Sequence, residues 1–439
     1  MTLLKNIIKK NLPWLILFGV SLSVVFHEFL NIPSQTTFDE IEFAKLAQYL
    51  EKHPYTPYSF LATGHATLYF YLILASFKIF GLSLFALRLP SAIFGVLNPV
   101  VFYLIMKNVF GYLKSKKRLR PLQGKHVQDE KLLIRSLAFI LAFIFITMRW
   151  YLNFARFGFE ATFLLFLELM SFYFVLVFIS QRKISNLIIS GLFAGLAYNS
   201  YQPGRIFFLI PLYVLLSHIK TLTYPTLHKL HITSIFAYFF IPFLVLALPL
   251  TIYLQIHRDI RFYQQFYPDN HEMTLQEKGQ FFVRNLKSTI GIFHIKGDVN
   301  GRHNYPNKPA LNPILGTFFL GGLFLAIKRI KDKFNRIFIL WFFLSLAPTL
   351  VTYPWENPNM LRTFTAIPSV VYFSGLFVFW LFGFIAKYNQ SVQRFFTLII
   401  VLLISISVIY EIRTYFIYQS EVFKEAFEAQ HPLNYYLTH

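Results

Sequence analysis

Long unbroken runs of apolar residues dominate the chain, as in Leu12–Leu30, Phe364–Ala386 and Phe395–Tyr410. Runs of about 18 residues or more match the thickness of a hydrocarbon core. Read this way, the pattern predicts spans at 13–30, 86–107, 132–149, 160–180, 187–200, 204–218, 233–255, 313–327, 337–353, 364–386 and 395–412. One apolar stretch, 66-ATLYFYLILASFKIF-80, falls outside that set. As a helix it would be about 22 Å long, short for a bilayer. It is expected to lie in or near one membrane interface, a depth that suits Tyr69 and Tyr71.

Polar positions gather between these runs. The pieces expected on one side are a first loop (31–85), the turns 149–160, 199–206 and 354–363, a long loop (256–312) and the tail after Tyr410. Neither an internal repeat nor a low-complexity tract appears, so residues 1–439 read as one integral-membrane domain. The first run has no A-x-A-like cleavage site and is expected to remain as an anchor.

Charge then orients the pattern. The net charge is +21. The loops 1–12, 107–135, 181–186, 218–232, 328–336 and 387–394 together carry +20 of it, and the rest of the chain only +1. That is the positive-inside distribution, which puts the N-terminus in the cytoplasm and predicts a multi-pass plasma-membrane protein. The basic excess reports topology, so a nucleic-acid partner is not expected. The chain has no cysteine, which removes disulfides, thiol nucleophiles and thiolate metal sites. No Walker A loop, G-x-S-x-G elbow or H-E-x-x-H motif is present. The histidines show no ligand spacing; no cofactor is indicated, and assistance by a divalent metal stays open.

All but three of the acids lie on the side opposite the basic loops, so acid chemistry belongs there. In 36-TTFDEIEFAKLAQYL-50, two adjacent carboxylates, Asp39 and Glu40, open a segment with one apolar helical face. Thr37-x-x-Glu40 fits a capping box. Neighbours on a helix point about 100° apart, so Glu40 can cap while Asp39 faces a cleft. In 155-ARFGFE-160 the spacing of Arg156 and Glu160 suits an i,i+4 ion pair, and an arginine at that depth can also grip a phosphate bidentately. Glu168, further along the same run, reads as a carboxyl buried between helices. His65, Arg205, Arg302, His303 and Arg362 lie at span boundaries or in loops on the same side. Singly, such residues snorkel to headgroups. Together, beside the acids, they suggest a site for a phosphorylated lipid.

The long first span, the loop opening on Asp39-Glu40, and 68-LYFYLILASFKIFGLSLFALRLPSAIFG-95 together resemble polyprenyl-phosphate-sugar-dependent glycosyltransferases of the GT-C type. The nearest group is that of the protein O-mannosyltransferases and lipid A aminoarabinose transferases. Similarity continues through 155-ARFGFEATFLLFLEL-169 and 191-GLFAGLAYNSYQPGR-205, and more loosely through 302–323 and 361–371.

The resemblance implies an all-α, polytopic GT-C fold of about eleven spans with an interfacial helix in its first outer loop. It implies a cell-envelope enzyme that moves a sugar from a polyprenyl-phosphate donor to a hydroxyl or amine of a protein, lipid or glycan on the extracytoplasmic side. Asp39 would be the general base of an inverting reaction, with Glu40 and Glu160 as accompanying carboxylates. His65, Arg156, Arg205, Arg302 and Arg362 would hold the donor phosphate. This chain departs from the family at two places. His65-Ala66-Thr67 stands where relatives have a basic residue and two prolines, and Glu160 stands where they often have Asp. Two other readings share parts of this pattern. A transporter or flippase for lipid-linked sugars would be expected to show paired halves. A lipid-dependent glycan polymerase or ligase would share topology and donor.

Overall fold

The computed structural model describes residues 2–115, 127–222 and 231–438. Part of the basic loop 107–135 and of the loop 218–232 lies outside the described residues. What is described is predominantly helical, because backbone in hydrocarbon must satisfy its own hydrogen bonds. The helices are α1 (Thr2–Phe26), α2 (Phe38–Lys52), α3 (Leu68–Phe80), α4 (Leu84–Ser115), α5 (Val127–Thr147), α6 (Arg149–Ala155), α7 (Ala161–Gln181), α8 (Ile184–Tyr198) and α9 (Leu209–Leu222). They continue as α10 (Ile232–Ile256), α11 (Ile260–Gln265), α12 (Leu275–Gly291), α13 (Pro313–Lys328), α14 (Lys333–Val351), α15 (Ile367–Ile385), α16 (Gln390–Arg413), α17 (Ser420–Ala426) and α18 (Leu433–Thr438). The strands β1 (Tyr58–Ser59) and β2 (His65–Ala66) form one small antiparallel hairpin, with Tyr58 opposite Ala66 and Ser59 opposite His65.

Each predicted span falls on a helix. Among the described residues, seven segments are long and apolar enough to cross a membrane. An eighth would be the pair Leu132–Thr147 and Arg149–Ala155, which is bent by 64° at Met148. The predicted spans at 13–30, 187–200 and 313–327 are helices with shorter apolar stretches. The expected interfacial helix is α3. One of its tyrosines, Tyr69, differs from expectation, however. Tyr69 is fully buried against α4, its hydroxyl 2.5 Å from Ser91 Oγ, because the helix packs on protein along that face instead of turning it to headgroups.

Helices approach closely where side chains are small. Gly191 and Gly195 of α8 sit against α10: a Cβ on Gly191 would collide with the Phe239 carbonyl, and one on Gly195 would lie 2.8 Å from Leu246 Cβ. The 191-GLFAG-195 spacing therefore serves packing. Aromatic rings fill the interior, with Trp150, Trp341, Tyr151 and Tyr372 almost wholly buried. The segments that follow α2, α6, α8, α10, α12 and α14 meet around one cleft at the end of the bundle.

Candidate functional site

The site begins with the position of α2. Thr37 caps this helix, and the box closes with Glu40 as expected. Glu40 does more than cap. Its carboxylate takes Arg88 Nε at 2.7 Å and Nη2 at 2.9 Å, and accepts from the Gly158 amide at 2.8 Å. Both side chains of this ion pair have no exposed area. Arg88 also donates to the carbonyls of Pro33 and Gln35, each at 2.6 Å. The pair ties the start of α2 to α4 and to the 156–160 turn. Glu40, expected among the catalytic carboxylates, does not reach a cleft, because its oxygens are occupied by these donors. Asp39, next along the helix, points the other way. Its side chain is half exposed and meets Arg302 Nη1 at 2.7 Å.

Asp39 and Arg302 border a polar cleft of about 260 Å³. Its walls include His65, Arg261, Gln265, Glu356 and Arg362, with Phe43, Phe159 and Tyr201 supplying apolar surface. Three loops thus deliver three arginines to one space: Arg261 from α11, Arg302 from the 298–312 segment, and Arg362 from the turn before α15.

On the deep side of this cleft His65 lies between Glu160 and Arg261. His65 Nδ1 is 3.1 Å from Glu160 Oε1, and Arg261 Nη1 is 2.7 Å from His65 Nε2. Arginine can only donate, so a neutral imidazole with its proton on Nδ1 satisfies both neighbours. Burial pushes the His65 pKa down, Arg261 pushes it down further, and Glu160 opposes them without prevailing. For Glu160, burial works against the charge, but His65 and Arg261 outweigh it and hold the carboxyl below its ordinary range. Arg261 is also 3.8 Å from Glu160 and lies 5.4 Å over the Tyr201 ring.

The hairpin that presents His65 turns through Ala62, Thr63 and Gly64, all at positive φ (53°, 67° and 92°). Only glycine fits the third place, since a Cβ there would strike the Tyr58 hydroxyl. That hydroxyl donates to Asp259 at 2.8 Å, and Asp259 caps α11 by accepting from Phe262 N. Arg205 completes the anchor with a 2.7 Å bond to Asp259. Arg205, expected at the donor phosphate, therefore fixes α11, and with it Arg261, and is not among the residues that line the cleft.

Arg156 departs from expectation too. Residues 156–159 are not helical, so the i,i+4 pairing with Glu160 has no helix to form on. The guanidinium instead points away from the cleft. It donates to the carbonyls of Val24, Val25, Glu28 and Ile32, closing the end of α1, and stacks 5.0 Å from Phe416. It is fully buried there, out of reach of a ligand in the cleft.

Arg362 meets Glu356 at 3.1 Å and Gln265 at 3.2 Å, while its Nη1 is buried without a partner. His303 lines the cleft and is held by Asp298 at 3.0 Å. Glu168 is buried within α7, as expected. Among the described residues, no group of three or more His, Asp or Glu side chains is placed to hold a metal ion.

Local spacing marks neither Arg88 nor Arg261. Arg88 had a usable signal, since a lone arginine in the apolar run 84-LFALRLPSAIFG-95 needs a buried acid. Arg261 had only its place after Asp259 in a long loop.

Fold and cleft together define an all-α polytopic membrane protein with three carboxylates (Asp39, Glu42 and Glu356) and three arginines gathered at one end of its bundle. Solved structures of ArnT are among those that share this fold. A crystal structure of ArnT from Cupriavidus metallidurans bound to undecaprenyl phosphate has a TM-score of 0.54 at 13% identity, covering 97% of this chain and 77% of that one. The apo state of the same protein gives a TM-score of 0.51 at 12% identity, with the same coverage. No protein-family model and no curated protein matches the chain. The GT-C resemblance thus holds at the level of the fold.

Proposed function

We propose that the chain is a membrane glycosyltransferase that takes its sugar from a polyprenyl-phosphate donor in the cleft bordered by Asp39. The observation that carries this reading is the placement of Asp39 in one polar space with Arg261, Arg302 and Arg362. A fold shared with a protein crystallised with undecaprenyl phosphate supports the donor class.

In this reading the acceptor oxygen or nitrogen attacks the anomeric carbon from the side opposite the phosphate. The bond from that carbon to the phosphate oxygen breaks, and its electron pair stays on the phosphate. The acceptor's proton passes to Asp39, and the anomeric configuration inverts. The leaving group is an anion, so it needs positive charge more than a proton, and the three arginines supply it. Arg302 now bonds Asp39. An incoming phosphate competes for Arg302 and thereby frees the Asp39 carboxylate for the acceptor. The net positive charge of the loops 1–12, 107–135, 181–186, 218–232, 328–336 and 387–394 supports an extracytoplasmic position for this cleft.

The test is transfer of labelled sugar from a short-chain polyprenyl-phosphate donor by the purified protein in nanodiscs. Asp39→Asn is expected to retain donor binding and to lose transfer by about 100-fold or more, the usual scale of general-base loss. Near-normal turnover in that variant would remove Asp39 from the chemistry. Absence of transfer by the native chain from every polyprenyl-phosphate sugar offered, with no binding of the bare lipid phosphate, would remove the donor class.

A further inference from the structure

The helix α12 has three faces where most surface helices have two. One face turns inward and is partly polar: Asn285 donates to the carbonyls of Leu350 and Thr352 at 3.1 and 2.6 Å, and Thr289 Oγ1 meets Thr349 Oγ1 at 2.9 Å. Phe281 on the same side packs against Tyr267, Tyr353 and Trp355. A second face, with Gln276, Glu277, Gln280, Arg284 and Lys287, is exposed and polar, its acid sitting in the first turn and its two bases beyond it. The third is apolar and exposed: Leu275 at 89%, Phe282, Val283, Leu286, and Ile290 at 66%. At 100° per residue these five fall on a stripe about 100° wide. Beyond the helix the exposed side chain of Ile295, beside Gly291, adds to the apolar surface.

A stripe of that size facing water would be costly, and no other part of the described chain covers it. Because the same chain crosses a bilayer, lipid is the available cover. A helix whose apolar stripe borders a cationic one is suited to lie in a membrane interface.

We infer that α12 lies along the membrane surface on the side of the cleft, with Leu275, Phe282, Val283, Leu286 and Ile290 immersed among acyl chains and Arg284 and Lys287 drawn to anionic headgroups. The occupant of the stripe is the bilayer leaflet itself. At 17 residues the helix is about 25 Å long, so it lies over several lipids. Its inner face connects this seat to the cleft. Asn285 accepts from Asn357 at 2.9 Å, and the turn around Asn357 carries Glu356, Asn359 and Arg362 into the cleft wall.

The natural chain has no cysteine, so single nitroxide labels can be placed on the whole protein in nanodiscs. Labels on Leu286→Cys and Gln280→Cys report the two outer faces through collisions with oxygen, which concentrates in lipid, and with a water-soluble nickel chelate. The Leu286→Cys label is expected to favour oxygen and the Gln280→Cys label the chelate. Equal exposure of both labels to the chelate would overturn the membrane seat. A folding defect would not mimic this result, because each variant is first required to keep the native thermal transition.

The headgroup part is read by comparing phosphatidylcholine discs with discs containing phosphatidylglycerol. Anionic lipid is expected to deepen the Leu286→Cys label, each basic residue shifting the balance of immersed over lifted helix by about fivefold. The added variant Arg284→Gln/Lys287→Gln should erase that difference. A label depth indifferent to phosphatidylglycerol in the native background would overturn the anionic-headgroup assignment.

Discussion

Two adjacent carboxylates end in opposite surroundings, and substitution should separate them by phenotype. Glu40 is buried with Arg88, so Glu40→Gln leaves a buried guanidinium without its counter-charge. Breaking one side of a buried ion pair costs about 3–5 kcal/mol. The expected result is a lower thermal midpoint and a reduced yield of folded protein, whereas Asp39→Asn, half exposed at the cleft, should keep the native midpoint. Differential scanning fluorimetry in detergent distinguishes them. Loss of stability on Asp39→Asn with none on Glu40→Gln would reverse the two roles. His65 makes a pH-dependent prediction at the same scale. Its folded pKa lies below the free value of 6.5, so the native state prefers the neutral ring. Above 6.5 its contribution is complete. As pH falls below 6.5 the unfolded chain takes up a proton that the folded chain refuses, and stability declines until the folded pKa is passed. His65→Gln should flatten the thermal midpoint over that window. Glu160, also lowered, yields its contribution only further down, below its free value of 4.5.

At the scale of elements, α11 matters because it is short and yet must present Arg261. Six residues cannot hold a helix by themselves. Asp259 holds it from three directions: through the Phe262 amide, the Tyr58 hydroxyl and Arg205. Asp259→Ala removes all three, and the expected consequence is weaker donor binding with a smaller change in kcat. A loss of about tenfold in affinity, or ~1.4 kcal/mol, is the anticipated scale. Calorimetric titration with a short-chain polyprenyl phosphate measures it, and Tyr58→Phe should fall between native and Asp259→Ala. Unchanged affinity in Asp259→Ala would mean that Arg261 needs no such anchor. The same elements explain what local pattern reveals and what it hides. A capping box is written in four consecutive residues, so Thr37 and Glu40 are legible in the sequence itself. The spans were legible because hydrocarbon demands apolar length. The bonds from Arg88 to Glu40 and from Arg261 to His65 join residues 48 and 196 positions apart, and no spacing rule reaches that far. Arg156 misled for a related reason: its helical pairing with Glu160 presumes a helix that the 156–159 turn does not form.

For the whole molecule the open physical question is orientation, because the cleft works on a lipid-linked sugar only if it faces the leaflet where that lipid is displayed. Electrostatics favours the extracytoplasmic side. Loops with a net charge of +20 alternate with segments near neutrality, and insertion retains basic loops in the cytoplasm. Short loops such as 181–186 and 328–336 carry that signal beside helix ends, where it counts most. Counting α3 as a span would invert everything after it, putting the basic loop 107–135 outside and parting Asp39 and His65 from Arg261, Arg302 and Arg362. Its 13 residues, about 20 Å of helix, are too few to cross unaided. Labelling tests the whole assignment at once, again helped by the cysteine-free chain. Tyr55, 72% exposed in the loop after α2, and Ile330, 42% exposed in the basic turn after α13, lie on the two expected sides. In intact cells a membrane-impermeant maleimide should modify Tyr55→Cys and spare Ile330→Cys until the membrane is opened. The reverse pattern would turn the molecule over and put the cleft in the cytoplasm. Modification of both in intact cells would mean that α3 or another short helix fails to keep the loops apart, and the single-orientation topology would have to be abandoned.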